Sequence, residues 1–177
     1  MNNQPNPERT QWWTDVQAQL AQPFPAEQVN WKPQKTWNSE NWNDNNKANH
    51  NTALAVAYID ARAVADRLDA VFTPGGWQLE HRQEGSQLLT GLGIYDPFME
   101  AWLWKWDGGY INGEDKNGEV TKGTLSDGLK RAAVLWGIGR YLYFLPTNKV
   151  PYDPRSRKLT RNPQLPAWAL PNGSGRP

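Results

Sequence analysis

The sequence predicts an α+β domain, in which a three-stranded antiparallel β-meander is packed by helices and followed by an irregular basic arm. Two long runs have the apolar periodicity of helices, and three short alternating segments lie between them. Turn residues separate the alternating segments. Strands grouped between helices are typical of a sheet that helices cover on one face.

The totals of the chain exclude several classes of function. Its 177 residues are the length of one ordinary domain. The absence of cysteine excludes disulfides and cysteine-bound zinc, and two histidines leave little for another metal site, so we expect no metal and no cofactor. No apolar run is as long as a membrane span, and the first residues do not resemble a signal peptide. We therefore expect a cytoplasmic protein without membrane contact.

Charge and tryptophan are both used unevenly. The net charge is only +1, but residues 122–177 contain 10 Lys/Arg against 2 Asp/Glu. A basic third on a nearly neutral chain points to a local site for a polyanion. The chain also has 11 tryptophans, which suggests that some rings are partly exposed and stack on a ligand or pack between subunits.

The first third combines a short helix with irregular segments. Glu8 to Ala21 has the periodicity of an amphipathic helix, and the prolines at 23 and 25 stop it. Residues 34–51 are rich in asparagine and have no periodicity, which predicts a loop insert. For Trp37 and Trp42 in that loop, packing against the domain and contact with a ligand are both open.

A second helix is predicted from Thr52 to Phe72, with Asn51 or Thr52 as its cap. Its apolar stripe has helical spacing and consists of Leu54, Tyr58, Ala61, Ala65, Leu68 and Phe72. Arg62 lies beside that stripe. It is free to bind an anion, or it pairs with Asp66 one turn later.

Three strands are predicted at Trp77–Glu84, Leu88–Tyr95 and Glu100–Asp107. The middle strand has glycine at positions 91 and 93 on one face, which invites close packing there. The third strand has one face of three tryptophans and one mixed face, formed by Trp102, Trp104 and Trp106 and by Leu103, Lys105 and Asp107, respectively. We expect the tryptophan face to be core beneath a helix.

A third helical run, within Gly123–Leu145, carries most of the functional signal. Its apolar stripe is formed by Leu125, Leu129, Ala132, Ala133 and Trp136, with Thr124 and Asp127 as candidate caps and glycines 137 and 139 ending it. Lys130 lies off the stripe and Arg131 at its edge. Two interpretations are open: the solvated polar face of a core helix, or an edge that binds phosphate.

From residue 147 the chain is rich in proline and in basic residues, which predicts an irregular arm and a flexible tail beyond a domain of residues 1–146. Its first cations are Arg155, Arg157 and Lys158. A solvated tail and a contact with nucleic acid or another subunit are both open.

The residue types favour binding over catalysis. There is no G-x-x-x-x-G-K-[ST] phosphate loop and no nucleophile elbow, and the carboxylates near Asp107 lack a predicted His or Lys partner, so we expect no enzyme. Cations beside flat rings are how proteins hold single-stranded nucleic acid. A tryptophan-rich carbohydrate-binding module is the rival interpretation, although a sugar binder gains nothing from the basic segment.

Two helical motifs resemble the Rad fifty-two (Rad52) family of single-strand annealing proteins. S-D-G-L-K-R-A at Ser126–Ala132 resembles the signature helix of the family, and G-I-G-R-Y-L-Y at Gly137–Tyr143 is similar to its bacterial and phage branch. Y-I-D-A-R-A-V-A-D-R-L-D at Tyr58–Asp69 resembles an earlier helix, and Gln22–Pro33 resembles the DdrA type of that branch. The resemblance covers roughly residues 19–146.

This resemblance implies a β-β-β-α annealing core and an oligomeric ring or arc that anneals complementary single strands without ATP in recombination and double-strand-break repair. Lys130 and Arg131 match the phosphate-binding pair of the signature helix. Val134 stands where the eukaryotic proteins have a further arginine, and their earlier-helix arginine aligns nearest Ala63, beside Arg62.

The remaining DNA-binding candidates rank lower and are Arg62, Arg140, Lys105, Lys122, Arg155, Arg157 and Lys158. The implied partners are single-stranded DNA and further copies of the chain, with an exonuclease or a separate single-strand-binding protein as a further candidate. Protection of DNA 3′ ends without annealing is an alternative function for the same residues.

Overall fold

The structure, a computed structural model, describes residues 6–37, 51–110, 122–173 and 175. The chain forms two compact units, each built from two separate stretches. The first unit comprises Met1–Gln22 and Ile59–Tyr141, and the second comprises Pro23–Tyr58 and Leu142–Pro177. No helix in the described ranges is long and apolar enough to span a membrane.

Three α-helices and seven strands make up the described fold. Helices α1, α2 and α3 span Pro7–Ala21, Ala61–Phe72 and Lys122–Leu135. Strands β1 to β7 span Val29–Trp37, Thr52–Ile59, Trp77–Glu84, Gln87–Asp96, Ala101–Tyr110, Asn148–Asp153 and Lys158–Leu159. Short 3₁₀ turns cover Ala26–Gln28, Arg140–Phe144 and Ala167–Ala169. The predicted α+β class is confirmed.

The first unit contains an antiparallel sheet of order β3-β4-β5. Its register places Leu79 opposite Leu92 and Leu92 opposite Lys105, so these three residues share one face. Helix α3 packs on that face, where Trp136 Nε1 donates to the carbonyl oxygen of Leu92 at 3.0 Å. Gly128 lies so close to Thr90 that a larger residue in the helix would clash with it.

Helix α1 begins at an asparagine cap and is tied to the sheet by a buried carboxylate. The Asn6 side chain accepts from the backbone N–H groups of Glu8 and Arg9, and Pro7 occupies the first helical position. Asp96, at the end of β4, is fully buried and accepts from Arg9 Nε at 2.7 Å and Trp13 Nε1 at 2.9 Å. One carboxylate therefore holds the helix and the β4–β5 turn together.

The second unit contains a small sheet of order β1-β2-β6-β7. Strands β2 and β6 are antiparallel, with Thr52 opposite Pro151 and Ala55 opposite Asn148. Strand β7 extends the sheet through the pair Tyr152 and Leu159. The prediction of an irregular arm was wrong for residues 148–159, because backbone pairing with β2 gives this proline-containing segment a strand conformation that its composition hides.

The predicted helix Thr52–Phe72 was wrong in its first half, which is strand β2. Its buried residues, Ala53, Ala55 and Ile59, fall at odd positions, whereas Leu54 and Tyr58 are only partly buried. The segment therefore follows the period of two, with small residues on the buried face. Helix α2 begins after Asp60 and buries Val64 and Leu68, so neither predicted cap is used.

Three smaller expectations also change. Residues 34–37 of the predicted loop belong to strand β1, because the loop composition begins only after Trp37, and the rest of the asparagine-rich insert through residue 50, including Trp42, lies outside the described residues. Helix α3 begins at Lys122, so Thr124 is inside its first turn rather than a cap. Leu125 is 37 % exposed, because the sheet contact begins one turn later at Leu129.

The expectation that a helix covers the three tryptophans of β5 was also wrong. Helix α3 contacts the other face of that strand, since Lys105 Nζ donates to the Leu135 carbonyl oxygen and Arg131 pairs with Asp107. The tryptophan side chains on the opposite face are half-buried. The alternation of β5 was predicted correctly, but alternation alone does not indicate which face of the strand a helix covers.

Candidate nucleic-acid interface

Lys130 and Arg131 lie on the side of α3 that its packing leaves open. Leu129, Ala132 and Ala133 are buried against the sheet, while the side chains of Lys130 and Arg131 are 26 % and 48 % exposed. Lys130 Nζ lies 3.0 Å from Asp127 Oδ1, and Arg131 Nη2 lies 2.9 Å from Asp107 Oδ1. Both cations are therefore held in place by carboxylates, but they remain accessible to a ligand.

A shallow groove of about 240 Å³ runs beside Arg131, at the start of α3. It is lined by Leu88, Gly109, Gly123, Thr124, Asp127, Gly128 and Arg131. The glycines leave the backbone close to the surface, and Arg131 and Asp127 supply one charge of each sign. Exposed ion pairs contribute only about 0–1 kcal/mol, so a phosphate group that enters the groove can displace Asp107 from Arg131 at little cost.

Two other predicted cations meet at the carboxyl end of α3. Arg140 donates from Nε and Nη2 to the Val134 carbonyl oxygen, and from Nη2 to that of Leu135 at 2.8 Å. Lys105 Nζ donates to the Leu135 carbonyl at 3.0 Å and lies 4.2 Å from the centroid of the Trp136 ring. Burial, and then the nearby Arg140 charge, lower the pKa of Lys105. These contacts stabilise the negative end of the helix dipole.

Glycines explain why α3 ends where Arg140 can cap it. Gly137 and Gly139 have φ values of +100° and +68°, a region that other residues rarely adopt. The chain therefore turns back just after Leu135, as predicted, and places the Arg140 guanidinium over the last carbonyls. Both Lys105 and Arg140 have a structural role in addition to any contact with DNA.

The remaining predicted cations are more exposed. Arg62 lies at the solvent-facing start of α2, and the described residues provide no ion pair for it with Asp66. Lys122 is exposed at the first position of α3. In the second unit, Arg155 and Arg157 lie in the exposed turn between β6 and β7, and Lys158 begins β7.

A carboxylate shapes that turn. Asp153 accepts from Ser156 Oγ at 2.8 Å and from the Arg155 backbone N–H at 2.9 Å, and these hydrogen bonds lower the pKa of Asp153. The turn therefore presents its two arginines in a defined loop rather than in a solvated tail. Arg157 adopts φ +55°, which fits a tight turn.

A set of lysines beside aromatic rings in the second unit was not predicted from the sequence. Lys149 Nζ and Lys35 Nζ lie 4.4 and 5.5 Å from the centroid of the Trp37 ring, and Lys32 Nζ lies 5.4 Å from that of Tyr58. The signal in the sequence is the pair Lys32 and Lys35 between Trp31 and Trp37, in a segment predicted to be extended and then a loop. This cluster adds cations with flat rings to the small sheet.

The described charges separate by unit rather than by position in the chain. The described residues of the first unit include 9 Lys/Arg and 11 Asp/Glu, a net charge of −2. Those of the second include 7 Lys/Arg and 2 Asp/Glu, a net charge of +5. In the described ranges, no group of three or more His, Asp or Glu side chains is placed to hold a metal ion.

Comparisons with known proteins identify the family to which this chain is similar. Residues 13–87 and 108–158 match the model of the Rad52/22 family of double-strand break repair proteins. The single-stranded DNA-binding protein DdrA of Deinococcus radiodurans is 37 % identical over 173 residues, which cover 93 % of this chain and 72 % of that protein. DdrA of Deinococcus deserti is also 37 % identical, with 93 % of this chain and 74 % of that protein covered. The chain therefore belongs to the Rad52/22 family of double-strand break repair proteins.

Proposed function

We propose that this protein binds single-stranded DNA and anneals complementary strands in recombination and double-strand-break repair, without ATP and without covalent chemistry. The observation that carries the proposal is the accessible Lys130–Arg131 pair on the helix that bears the family signature. The relatives named above are single-stranded DNA-binding proteins, which supports the same conclusion.

The mechanism follows from the part of the DNA that cationic side chains contact. Lys130 and Arg131 bind phosphate oxygens, which are the same for every base, so a bound strand keeps its base edges free. Annealing then needs many such sites in a row, and we propose that copies of the chain assemble into a ring or an arc to form that track. Sequence specificity comes from base pairing alone.

The other predicted cations take second place in this proposal. Arg62 and Lys122 are exposed in the first unit and extend the phosphate track, whereas Lys105 and Arg140 contribute mainly by capping α3. Arg155, Arg157 and Lys158, together with Lys35 and Lys149, are proposed as phosphate contacts of the second unit. The assignment of residues 1–146 to the annealing domain and 147–177 to an arm, the cytoplasmic location and a recruiting exonuclease or single-strand-binding protein remain predictions.

A binding assay with a charge-matched control tests the proposal. Lys130→Ala with Arg131→Ala is compared with Lys130→Arg with Arg131→Lys, using the fluorescence anisotropy of a labelled oligothymidylate. We expect the alanine pair to lose at least tenfold in affinity, about 1.4 kcal/mol, and the charge-retaining pair to lose less. Equal affinity of the alanine pair and the wild type would contradict the assignment of the site.

A second assay separates annealing from the protection of DNA ends. Two complementary strands are mixed with the protein in the absence of ATP, and duplex formation is followed over time. In parallel, a 3′-exonuclease is added to a single strand that the protein has bound. Faster duplex formation supports annealing. Protection of the 3′ end with no effect on duplex formation would favour the alternative function.

A further inference from the structure

The sheet of the first unit has a second face, opposite to α3, and this face is aromatic. It carries Leu89 and Tyr95 of β4 and Trp102, Trp104 and Trp106 of β5, which we call the aromatic face. All five side chains are partly exposed. A contiguous apolar patch that stays partly exposed on a folded protein is often an interaction site.

The aromatic face is built around two glycines. A Cβ atom placed on Gly93 would lie 3.0 Å from each of Cδ2, Cε2 and Cη2 of Trp104. A point at equal distances from three atoms of a six-membered ring lies on the normal through its centre, so the indole of Trp104 lies flat on Gly93. Gly91 meets Cε2, Cζ2 and Cδ2 of Trp106 at 2.7, 2.7 and 2.8 Å, which places that ring in the same way.

The two indoles therefore form a plateau. Their centroids are 5.7 Å apart and their planes differ by 27°, while Trp102 packs edge-on against Tyr95. Each indole has one face on the backbone of β4 and the other directed away from the sheet. Because the rings are fixed by the sheet, covering them costs little side-chain entropy.

The charges around the plateau disfavour a nucleic acid strand. Strand β3 contributes Glu80, Arg82 and Glu84 to the same face as the tryptophans. Arg82 is engaged, since its Nε pairs with Glu80 at 3.0 Å and its guanidinium lies 4.3 Å from the centroid of Trp106. The described residues of this strand thus give the face a net negative charge, which repels phosphate.

A second copy of the chain fits both the apolar and the charged character of the face. The described part of the first unit is net negative and that of the second unit is net positive, so copies attract each other head to tail. Head-to-tail contacts generate rings or open arcs. The plateau also lies on the face of the sheet opposite to Lys130 and Arg131, so a copy seated there leaves the proposed strand track open.

The size of the face agrees with the centre of a protein interface. An aromatic side chain buries about 150–250 Å² when it is fully covered, and each of these four rings is at most about a third exposed, so they leave at most roughly 200–350 Å² to cover. A stable interface buries about 800 Å² on each partner. The aromatic face then supplies the apolar centre of such an interface, and the polar residues of β3 supply its rim.

We propose that the aromatic face is the surface through which one copy of this protein binds the next. This inference deepens the self-assembly part of the proposed function and identifies its surface. It makes the flat seating of Trp104 and Trp106 on Gly93 and Gly91 a requirement of assembly. The phosphate-binding residues on α3 are separate from it.

The absence of cysteine allows a clean test. Gln78→Cys places a thiol on the aromatic face, since Gln78 pairs with Gly93, and Gln83→Cys places one on the opposite face of the same strand. Both glutamines are exposed, so both variants should fold. The rate of maleimide labelling is measured without DNA at two protein concentrations. Sedimentation identifies one at which the protein is assembled and one at which it is dissociated.

We expect the thiol at 78 to react on the order of tenfold more slowly in the assembly than after dilution, and the thiol at 83 to react equally in both. A protein that is monomeric at every concentration, equal reactivity of the two thiols in the assembly, or protection that appears only with single-stranded DNA would each overturn the proposal. DNA affinity is measured in parallel. Normal DNA affinity without protection of the thiol at 78 would refute the aromatic face as the contact between copies, but it would not contradict the DNA-binding proposal.

Discussion

We expect Asp107 to compete with DNA for Arg131, so that removal of its charge should strengthen binding. The Arg131 Nη2–Asp107 Oδ1 distance is 2.9 Å, and the two side chains are 48 % and 27 % exposed. An ion pair this accessible is worth about 0.2–1 kcal/mol after solvent screening, and a phosphate must replace it. Asp107→Asn keeps the shape of the side chain and removes that competition. We expect single-stranded DNA affinity to rise by up to about fivefold.

The effect must depend on Arg131. In an Arg131→Ala background, Asp107→Asn should change affinity by much less, and a double-mutant cycle in the anisotropy assay measures the difference. Asp66→Asn, an equal change of charge at an exposed position of α2, serves as the control for general electrostatics. If Asp107→Asn weakens binding while the protein stays folded, Asp107 positions Arg131 for DNA, and competition between Asp107 and DNA is refuted.

Three further predictions concern stability. Asp96→Ala should lower the free energy of unfolding by about 1–3 kcal/mol, measured by urea denaturation, because the partly buried donors of Arg9 and Trp13 lose their acceptor. Burial raises the pKa of Asp96, but hydrogen bonds from Trp13, Arg9 and two backbone N–H groups outweigh it and hold that pKa below its usual value. The Asp96 carboxylate therefore contributes fully to the free energy of unfolding above the ordinary carboxyl pKa, and this contribution is lost as the pH falls through the lowered pKa. A contribution of Asp96 that is lost as the pH rises would contradict this. Gly91→Ala should cost about 1–3 kcal/mol, since the new methyl group meets the Trp106 ring, whereas Gly75→Ala, which meets nothing within 4 Å, should cost little by the same assay. Arg140→Ala should lower the stability by about 1 kcal/mol, seen in thermal unfolding, because the last carbonyls of α3 lose their charged donor; an unchanged melting temperature would show that this cap does not stabilise the helix.

Local periodicity was sufficient where a segment has one buried face and clear turns. The predicted strand Trp77–Glu84 has the observed bounds, and the other two strands of that sheet and helix α1 lie within a few residues of theirs. The end of α3 was also predictable, because glycines 137 and 139 offer the positive φ that a turn needs. These features are set by neighbours in the chain.

The errors share a different cause. Thr52–Ile59 contains alanines and leucine in a spacing that fits a helix as well as a strand, and its pairing with Asn148–Asp153 lies almost a hundred residues away. The same distant pairing turns part of the predicted arm into a strand. Likewise, alternation placed the three tryptophans on one face of β5, but only the packing of α3 decides which face is covered. Strand pairing and helix packing between distant segments cannot be predicted from a local sequence pattern.

The candidate residues of the site could be proposed from the sequence, but their contacts could not. Lys130 and Arg131 followed from their position beside the apolar stripe and from the family motif. Their carboxylate partners differ in origin: Asp127 lies one turn away on the same helix, whereas Asp107 comes from β5. The capping roles of Lys105 and Arg140 depend on where α3 ends above the sheet, which no spacing in the sequence shows.

The central claim is that Lys130 and Arg131 bind the phosphates of single-stranded DNA. The most direct measurement is the affinity for an oligothymidylate as a function of salt concentration, for the wild type and for Lys130→Ala with Arg131→Ala. Each phosphate contact contributes about 0.7 to the slope of log affinity against log salt for single strands, so removing two contacts per subunit should reduce the slope by about 1.4. A variant with the wild-type slope and affinity would contradict the claim.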